Sequence, residues 1–427
     1  MYVATGLVML ASVLSLPPQA PLAEFPGHGP GTANLGDLDG DGVEDFLAGT
    51  PFAGGPFHAV SGRTLKTLFL NPLGVWGTPA ADFVHAVGDF DGDGFGDVLV
   101  PPNVLSGASL LSVDPSRYDP PVVLLGFYSP YASTIEGGYA VLGDLDGDGR
   151  SEIAVGSPNA YVFRCPSDHP GFVTGDNGGA AITHSSLDGS IRSVHFGTSV
   201  GDSLGGVVAR LGDLDGDGLA DLGAATRQPP VSDTLFCSFS GGGYTRALSS
   251  GTGALLWEVS VAPRALCAID DVDEDGTDDV ALGFPYHGKI ELRSGRTGAL
   301  LLTIDDDAFL GPGTHLFGNQ VLAWPDADGD GLGDLVASAP QPLVFSFGFP
   351  SSAGPGQVVV LSSRSGKVVS QLHGKASGQE FGVQIARLGD LTGDGTPELA
   401  VGSTARSDGL VQVFSPRTLV QGRGRRR

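Results

Sequence analysis

A nine-residue acidic phrase recurs seven times in this chain and restricts its fold more than any other feature. The fourth copy reads Asp213-Leu-Asp-Gly-Asp-Gly-Leu-Ala-Asp221. Carboxylates stand at positions 1, 3, 5 and 9, and the glycine at position 6 allows the backbone to turn back on itself. The four carboxylates then converge on one point, where a hard cation that prefers oxygen ligands fits, Ca²⁺ before Mg²⁺.

Each copy offers the same five ligand positions. Side-chain oxygens come from positions 1, 3, 5 and 9, and a backbone carbonyl comes from position 7, where the side chain is free to vary. The sequence predicts up to seven Ca²⁺ ions, because an acidic turn without metal leaves its carboxylates in mutual repulsion. An EF-hand fits less well, since no helical pattern flanks the loops. The candidate ligands are Asp37, Asp39, Asp41, Val43, Asp45, Asp89, Asp91, Asp93, Phe95, Asp97, Asp144, Asp146, Asp148, Arg150, Glu152, Asp213, Asp215, Asp217, Leu219, Asp221, Asp271, Asp273, Asp275, Thr277, Asp279, Asp326, Asp328, Asp330, Leu332, Asp334, Asp390, Thr392, Asp394, Thr396 and Glu398.

The composition indicates an all-β chain made of repeats. The 427 residues exceed one ordinary core, yet no polar linker divides them into unlike domains. Glycine (68) and proline (30) are frequent, and no long segment has a 3.6-residue apolar period. Short strands joined by many turns are therefore expected.

The spacing of the copies predicts the blades of a β-propeller. Their first aspartates lie 52 to 69 residues apart. In each unit a short apolar strand leads into the loop, and a run that is apolar on both faces follows it, as in Val98-Leu-Val100. A Gly/Pro corner, a third strand, a tight turn such as Ser250-Gly-Thr-Gly253 and a fourth strand complete the unit. Four antiparallel strands would make one blade.

Seven such units, over residues 25–421, resemble the FG-GAP repeats of the integrin α-chain propeller. The Phe-Gly pair of that family is present as Phe317-Gly318 and Phe381-Gly382, before loops six and seven. The resemblance implies a seven-bladed β-propeller of four-stranded antiparallel blades, with a Ca²⁺ loop between the first and second strands of each blade. The pair is absent before loops one, two and five, and Thr392 replaces a carboxylate in loop seven. That replacement predicts a weaker site there.

Both ends of the chain are predicted to lie outside the propeller, which spans residues 24–421. Residues 3–16 are mostly apolar and are followed by prolines and small residues, as in a signal peptide, although no Lys or Arg precedes them. We expect residues 1–23 to be a signal peptide or apolar leader, and the protein to be secreted or at the cell surface. Extracellular calcium, at roughly millimolar concentration, would fill weak loops there. Residues 422–427 are a basic tail, expected to be disordered.

The three cysteines cannot all pair within one chain. Cys165 and Cys237 fall in long loops and are the two that could form one disulfide. Cys267 lies in an apolar, strand-like run, so we expect a small buried side chain rather than a reactive thiol.

Two short motifs resemble esterase signatures, but their setting disfavours catalysis. Gly197-Thr-Ser199-Val-Gly201 matches the nucleophile elbow, and the overlapping Gly201-Asp-Ser-Leu204 matches a second signature. An elbow requires a strand before it and a helix after it. This segment instead leads into the fourth acidic loop, so we predict no catalytic residue and no enzyme activity.

Long insertions are expected on the face opposite the calcium loops. They span residues 114–137, which we place between blades two and three, and residues 157–177, 227–241 and 340–355. Their many aromatic side chains, among them Tyr131 and Tyr161, suit the recognition of a protein or of a sugar face. The competing interpretation is that these aromatics pack as small cores that hold the loops down.

The charge and the repeats together favour a binding module. A formal net charge of −25 argues against nucleic acid as a partner, and seven Ca²⁺ ions would reduce it to −11. We expect a non-catalytic interaction or adhesion module, without a membrane span, that binds a protein or an extracellular polysaccharide. A lectin is the alternative. A polysaccharide lyase or hydrolase ranks third, since Arg164, His169 and Arg192 are the only suggestive set.

Overall fold

The computed structural model describes residues 20–26, 31–49, 57–71, 84–100, 103–112, 122–126, 138–158, 161–162, 176–199, 202–226, 243–310, 315–341, 344–346, 349–351, 354–404 and 409–415. Within them the chain forms seven four-stranded antiparallel sheets, which are the blades of a propeller. Blade 1 consists of β2 (Gly31–Gly36), β3 (Asp45–Gly49), β4 (Phe57–Val60) and β5 (Thr67–Asn71). Blade 2 consists of β6 (His85–Gly88), β7 (Asp97–Val100), β8 (Asn103–Leu105) and β9 (Val123–Gly126). Blade 3 consists of β10 (Tyr139–Gly143), β11 (Glu152–Ser157), β14 (Ala180–His184) and β15 (Ile191–Phe196). Blade 4 consists of β16 (Leu204–Arg210), β17 (Leu222–Thr226), β18 (Thr245–Leu248) and β19 (Leu255–Val259). Blade 5 consists of β20 (Ala265–Ile269), β21 (Asp279–Phe284), β22 (Lys289–Arg293) and β23 (Leu300–Asp305). Blade 6 consists of β24 (Val321–Trp324), β25 (Asp334–Ala339), β28 (Gln357–Leu361) and β29 (Val368–His373). Blade 7 comprises β30 (Gln384–Arg387), β31 (Leu399–Ser403), β32 (Leu410–Phe414) and β1 (Ala23–Pro26).

The second strand of every blade is buried on both faces, as the non-alternating apolar runs predict. All residues of β3, β7, β11, β17, β21, β25 and β31 are buried. The acidic loop precedes this strand in each blade, and the ninth position of every copy is the first residue of the buried strand or, in blades 4 and 7, the residue directly before it.

Neighbouring blades pack face to face around a closed ring. The first strand of each blade contacts the first strand of the next, and β30 of blade 7 contacts β2 of blade 1. Each of the seven blade interfaces has its own apolar core. At the closing interface, Phe46 and Val60 of blade 1 pack with Leu388 and Val413 of blade 7. The predicted seven-bladed, four-stranded propeller is thus confirmed.

The ring closes through a strand from the N-terminal side of the chain, which the sequence analysis did not foresee. Strand β1 pairs antiparallel with β32, with Phe25 opposite Val411. The Phe25 ring meets the Phe46 ring edge to face, with centroids 5.5 Å apart. Blade 7 is therefore composed of segments that are distant in sequence, and opening the ring requires breaking both contacts.

The proposed insertion at residues 114–137 is wrong as a single loop. Residues Val123–Gly126 form β9, the outer strand of blade 2, and pair with β8. A helix, α1 (Gly107–Ser112), replaces the tight turn that precedes the fourth strand in other blades, and its Leu110 is buried in the core between blades 1 and 2. The usual turn signal is therefore missing, which is why the strand was overlooked.

Two insertions are β-hairpins in part. Strands β12 (Tyr161–Val162) and β13 (Asp176–Asn177) pair within the blade 3 insertion, and β26 (Val344–Ser346) pairs with β27 (Phe349–Ser351) in blade 6. Both hairpins connect second to third strands, so they leave the ring at the end opposite the acidic loops. Two short 3₁₀ turns, Pro285–His287 and Asp306–Ala308, lie at that end of blade 5.

Several predicted features lie outside the described residues. These are residues 1–19 of the leader, the tail at 422–427, Cys165, Cys237, Tyr131 and the side chain of Tyr161. Cys267 lies in β20, partly buried against the core between blades 5 and 6, and burial raises the pKa of its thiol to about 12. No helix among the described residues is long and apolar enough to cross a membrane.

Candidate metal centres

The first carboxylate of every loop organises the backbone around itself. In loop 4, one oxygen of Asp213 accepts the N–H of Asp217 at 3.0 Å, and the other accepts the N–H of Gly218 at 2.8 Å. The same two bonds recur in all seven loops. The loop is thereby wrapped around the carboxylate at position 1.

The carboxylate at position 5 is fixed through only one of its oxygens. The Oδ1 of Asp217 accepts the N–H of Leu219 at 2.9 Å, and the equivalent bond is present in each of the other loops. Since Oδ1 is held by the backbone, Oδ2 is the oxygen that remains for another partner.

The carboxylate at position 9 is buried and ties two turns together. In blade 2, Asp97 is fully buried; one oxygen accepts the N–H of Phe90 at 2.7 Å and the other that of Gly107 at 2.8 Å. The first bond holds the acidic loop, and the second holds the connection between the third and fourth strands. Blades 1 to 6 all have this pair of bonds. The role as a link between turns was not predicted from the sequence.

Burial and the neighbouring carboxylates disfavour the ionised form of the carboxylates at position 9. Burial raises the pKa of Asp45, Asp221, Asp279 and Asp334 to about 6, and repulsion from other carboxylates of the loop adds to the rise. Backbone hydrogen bonds oppose the shift. A cation at the loop would offset both desolvation and repulsion.

Oxygens of the predicted ligands do converge. Carboxylate oxygens at positions 1, 3 and 9 lie within 4.8 Å of one another in loops 2 to 5, for example on Asp89, Asp91 and Asp97. In loop 1 the group consists of Asp37, Asp39 and Asp41. All donors are hard oxygens, so the residues present fit Ca²⁺ better than a soft metal ion.

A second glycine of the phrase has a role that the sequence analysis missed. Position 4 has a left-handed backbone in every loop, with φ between 61° and 83°, and is glycine in six of the seven copies. Loop 5 has Glu274 there, at φ 61°. A side chain at such a φ is strained. The repeated Gly at position 4 was the signal that could have revealed this turn.

Loop 7 departs from the others at two connected points. The hydroxyl of Thr392, at position 3, donates to Oε1 of Glu398 at 3.1 Å. That oxygen corresponds to the one that accepts a turn N–H in blades 1 to 6. Blade 7 has no hairpin from its third to its fourth strand, because its fourth strand is β1. The threonine that looked like a lost ligand therefore takes the place of a missing turn.

The Phe-Gly pairs shape the approach to the first strand. Phe317 and Phe381 are almost fully buried, and each follows a residue with positive φ, Leu316 at 54° and Glu380 at 50°. The segment that resembles a nucleophile elbow occupies the same place in blade 4, where Ser203 has φ 54°. Buried Asp202 accepts the backbone N–H groups of Thr198 and Ser199 there, at 2.8 and 2.7 Å.

This segment is followed by strand β16 rather than by a helix. The setting that an elbow requires is therefore absent from the described residues of blade 4.

Comparison with known proteins agrees with this geometry. The FG-GAP repeat model matches residues 140–182, which include loop 3. The integrin alpha pat-2 proteins of Caenorhabditis briggsae and Caenorhabditis elegans are 26% and 25% identical over 254 and 248 residues, which are 51% and 49% of this chain. The aligned part is only 19% of the length of either relative.

Solved structures share the fold over nearly the whole chain. Two crystal structures of BBS1N in complex with ARL6DN, soaked with lead and with mercury, have TM-scores of 0.54 and 0.53 at 12% identity. The matches cover 93% and 94% of this chain and 97% of the other. At this identity the likeness concerns the fold alone. Together with the seven acidic loops, these observations show that the chain is similar to the FG-GAP β-propellers of integrin α chains.

Proposed function

We propose that the protein is a calcium-stabilised propeller that binds a protein or an extracellular polymer without catalysis. The supporting observation is the division of the ring into two ends. The acidic loops lie at one end, each tied in blades 1 to 6 to the connection between the third and fourth strands. The hairpins of blades 3 and 6 lie at the other end, which leaves that end for recognition.

Calcium would be held by the side chains at positions 1, 3, 5 and 9 and by the carbonyl at position 7. When bound, the ion supplies positive charge and additional links between the oxygens of one loop. The chain itself positions these oxygens through the backbone N–H bonds to positions 1, 5 and 9. In loop 7 we expect weaker binding, since Thr392 supplies a hydroxyl in place of a carboxylate.

We further propose that residues 24–421 are the propeller, that residues 1–23 are a leader, and that the protein acts outside the cytoplasm. The integrin alpha proteins with which the chain aligns support an interaction role. Arg192 gives no support to a lyase or hydrolase, because its guanidinium pairs with Asp146 of loop 3. Arg164 and His169 lie outside the described residues.

Trimming one insertion tests where recognition occurs. In the first variant a two-residue Asn-Gly turn replaces residues 342–353, which removes the blade 6 hairpin at the opposite end. In the control, Ala replaces Thr252 in the blade 4 turn at the calcium end. Binding to arrays of extracellular matrix proteins and of glycans would be measured in Ca²⁺. We expect the first change alone to weaken binding.

Each outcome of this experiment has a clear meaning. Binding to proteins supports the interaction module, whereas binding to one class of monosaccharide supports a lectin. Loss of binding in the control, with the trimmed variant unaffected, would place recognition at the calcium end and contradict the proposal.

A further inference from the structure

Arginine side chains reach three of the acidic loops from the same place in the blade. The turn between the third and fourth strands has arginine as its third residue in blades 1, 5 and 6, namely Arg63, Arg296 and Arg364. Their guanidinium groups lie against the position 5 carboxylates of their own blades, Asp41, Asp275 and Asp330, at 2.9, 3.5 and 3.4 Å.

The arginines contact the carboxylate oxygen that the backbone leaves free. In loop 1, Oδ1 of Asp41 accepts the N–H of Val43, and Oδ2 accepts Nε–H of Arg63. Nη2 of Arg63 also donates to the backbone carbonyl of Asp41 at 2.6 Å. In loops 5 and 6 the contact is likewise with Oδ2. A cation ligated by this carboxylate would compete with the guanidinium for the same oxygen.

In blade 3 an arginine also pairs with a loop carboxylate, but it comes from a strand and not from the turn. Its turn has Leu187 at the third position, and the guanidinium comes instead from Arg192 of β15. Arg192 pairs with Oδ2 of Asp146, at position 3 of the loop. Oδ1 of Asp146 accepts the N–H of Asp148. A free carboxylate oxygen is again the one that the arginine takes.

The turns of blades 2 and 4 have no arginine at this third position. The third residue of the turn is Ala108 in blade 2 and Gly251 in blade 4. A Cβ on Gly251 would lie 2.3 Å from Oδ2 of Asp217, so the turn backbone itself approaches the carboxylate. In the part of the chain that the structure describes, no guanidinium pairs with a carboxylate of loops 2 or 4.

From these contacts we propose that loops 1 to 6 fall into two classes with different affinities for calcium. The proposal rests on the proposed calcium binding. Among the described residues, an arginine pairs with a carboxylate of loops 1, 3, 5 and 6 and acts as an internal counter-ion, whereas no arginine pairs with a carboxylate of loops 2 or 4. A guanidinium a few ångströms from a bound Ca²⁺ repels it and must yield its oxygen, so the arginine loops bind Ca²⁺ more weakly.

The same contact stabilises the loops when calcium is scarce. Arg63 links loop 1 to the turn between the third and fourth strands, which Asp45 also links through the N–H of Gly62. The arginine loops thus have a second attachment to their blades at low calcium, while in the described part of the chain loops 2 and 4 have only the position 9 carboxylate. Calcium is therefore expected to change the order of the loops most in blades 2 and 4.

Calcium binding to arginine variants tests the proposal. Arg364→Gln, and the combined variant in which Gln also replaces Arg63 and Arg296, would be stripped with EGTA and titrated with Ca²⁺ by calorimetry. We expect the affinity of one and of three sites, respectively, to rise about tenfold as the repulsion is removed. Melting temperature in EGTA should fall, and melting temperature in saturating Ca²⁺ should not. The control is Arg264→Gln, which removes an exposed charge outside the acidic loops.

The outcomes separate this proposal from the function on which it rests. Tighter binding in the arginine variants, with the control unchanged, supports two classes of loop. Unchanged affinities in a protein that still binds Ca²⁺ overturn the two classes and leave the calcium propeller intact. Absence of Ca²⁺ uptake by the unmodified protein overturns both. If the combined variant does not fold, the single Arg364→Gln variant gives the same decision, because that side chain is partly exposed.

Discussion

Blade 7 and blades 1 to 6 fasten their acidic loops in different ways. In blades 1 to 6 the buried carboxylate at position 9 receives one N–H from the loop and one from the connection between the third and fourth strands. In blade 7, Glu398 receives an N–H from Leu391 and the hydroxyl of Thr392. Closing the ring with β1 removes the hairpin from this blade, and a residue of the loop itself satisfies the carboxylate. The comparison shows that position 9 must have two donors, whatever their source.

The largest effect is expected from opening the ring at blade 7. A protein that lacks residues 1–26 loses the pairing of β1 with β32 and the contact of Phe25 with Phe46. We expect it to lose about 5 kcal/mol of unfolding free energy, from several backbone hydrogen bonds and one buried aromatic ring. Urea denaturation would measure this loss. A protein that lacks only residues 1–19 is the matched control and should keep its stability.

Removing the buried carboxylate at position 9 from blade 4 should have the next largest effect. Asp221→Ala leaves the N–H groups of Leu214 and Ser250 without their acceptor. Measured in EGTA, the loss should be about 3 kcal/mol, because one buried and one partly buried donor lose their acceptor. Asp217→Ala, an exposed change in the same loop, should cost less than about 0.5 kcal/mol. Equal losses in the two variants would show that the two hydrogen bonds to position 9 add nothing to stability, which would contradict this expectation.

In blade 7 the donor that replaces the turn N–H is the residue at position 3 of the loop, so the test is made there. Thr392→Val removes the hydroxyl that donates to Glu398 and keeps the shape of the side chain. Its expected cost is about 1–2 kcal/mol by thermal or urea unfolding, since one buried acceptor oxygen loses a partner. Thr392→Ser retains the hydroxyl and should be nearly neutral. A valine variant as stable as the unmodified protein would contradict the idea that the hydroxyl of Thr392 takes the place of the missing turn N–H.

The smallest effect is expected at position 4 of loop 5. Glu274→Gly relieves a side chain held at φ 61°, where the other six loops have glycine. The gain should be about 0.5–1 kcal/mol, measured by urea denaturation. Glu274→Ala keeps the strained Cβ and removes the charge and its exposed pairing with Arg364, so it should gain little. A larger gain for alanine than for glycine would assign the cost to charge instead of backbone.

Sequence patterns predicted the repeating parts of this structure well. Continuous apolar runs such as Val98-Leu-Val100 indicate strands buried on both faces, and the structure confirms them in every blade. The place of the acidic loop between first and second strands follows from the same order of elements. Local, repeated constraints of this kind are visible because each copy supports the interpretation of the others.

Sequence patterns do not reveal the places where the chain departs from the repeat. Strand β9 was missed because α1 replaces the turn that marks the fourth strand elsewhere. Strand β1 was not foreseen because its partner β32 lies almost 400 residues away and no local pattern connects them. The backbone N–H groups that donate to position 9 were also not predicted, because a backbone N–H has no signature in the sequence. Each failure concerns a contact that is formed only in the folded ring.

We propose above all that the acidic loops bind calcium and that the bound ions stabilise the propeller. Thermal unfolding of the unmodified protein, in excess EGTA and after restoration of millimolar Ca²⁺, tests it most directly. We predict that the chelator lowers the melting temperature by several degrees and that Ca²⁺ restores it, because binding to the folded state alone stabilises that state. An identical melting temperature in the two conditions would contradict the account.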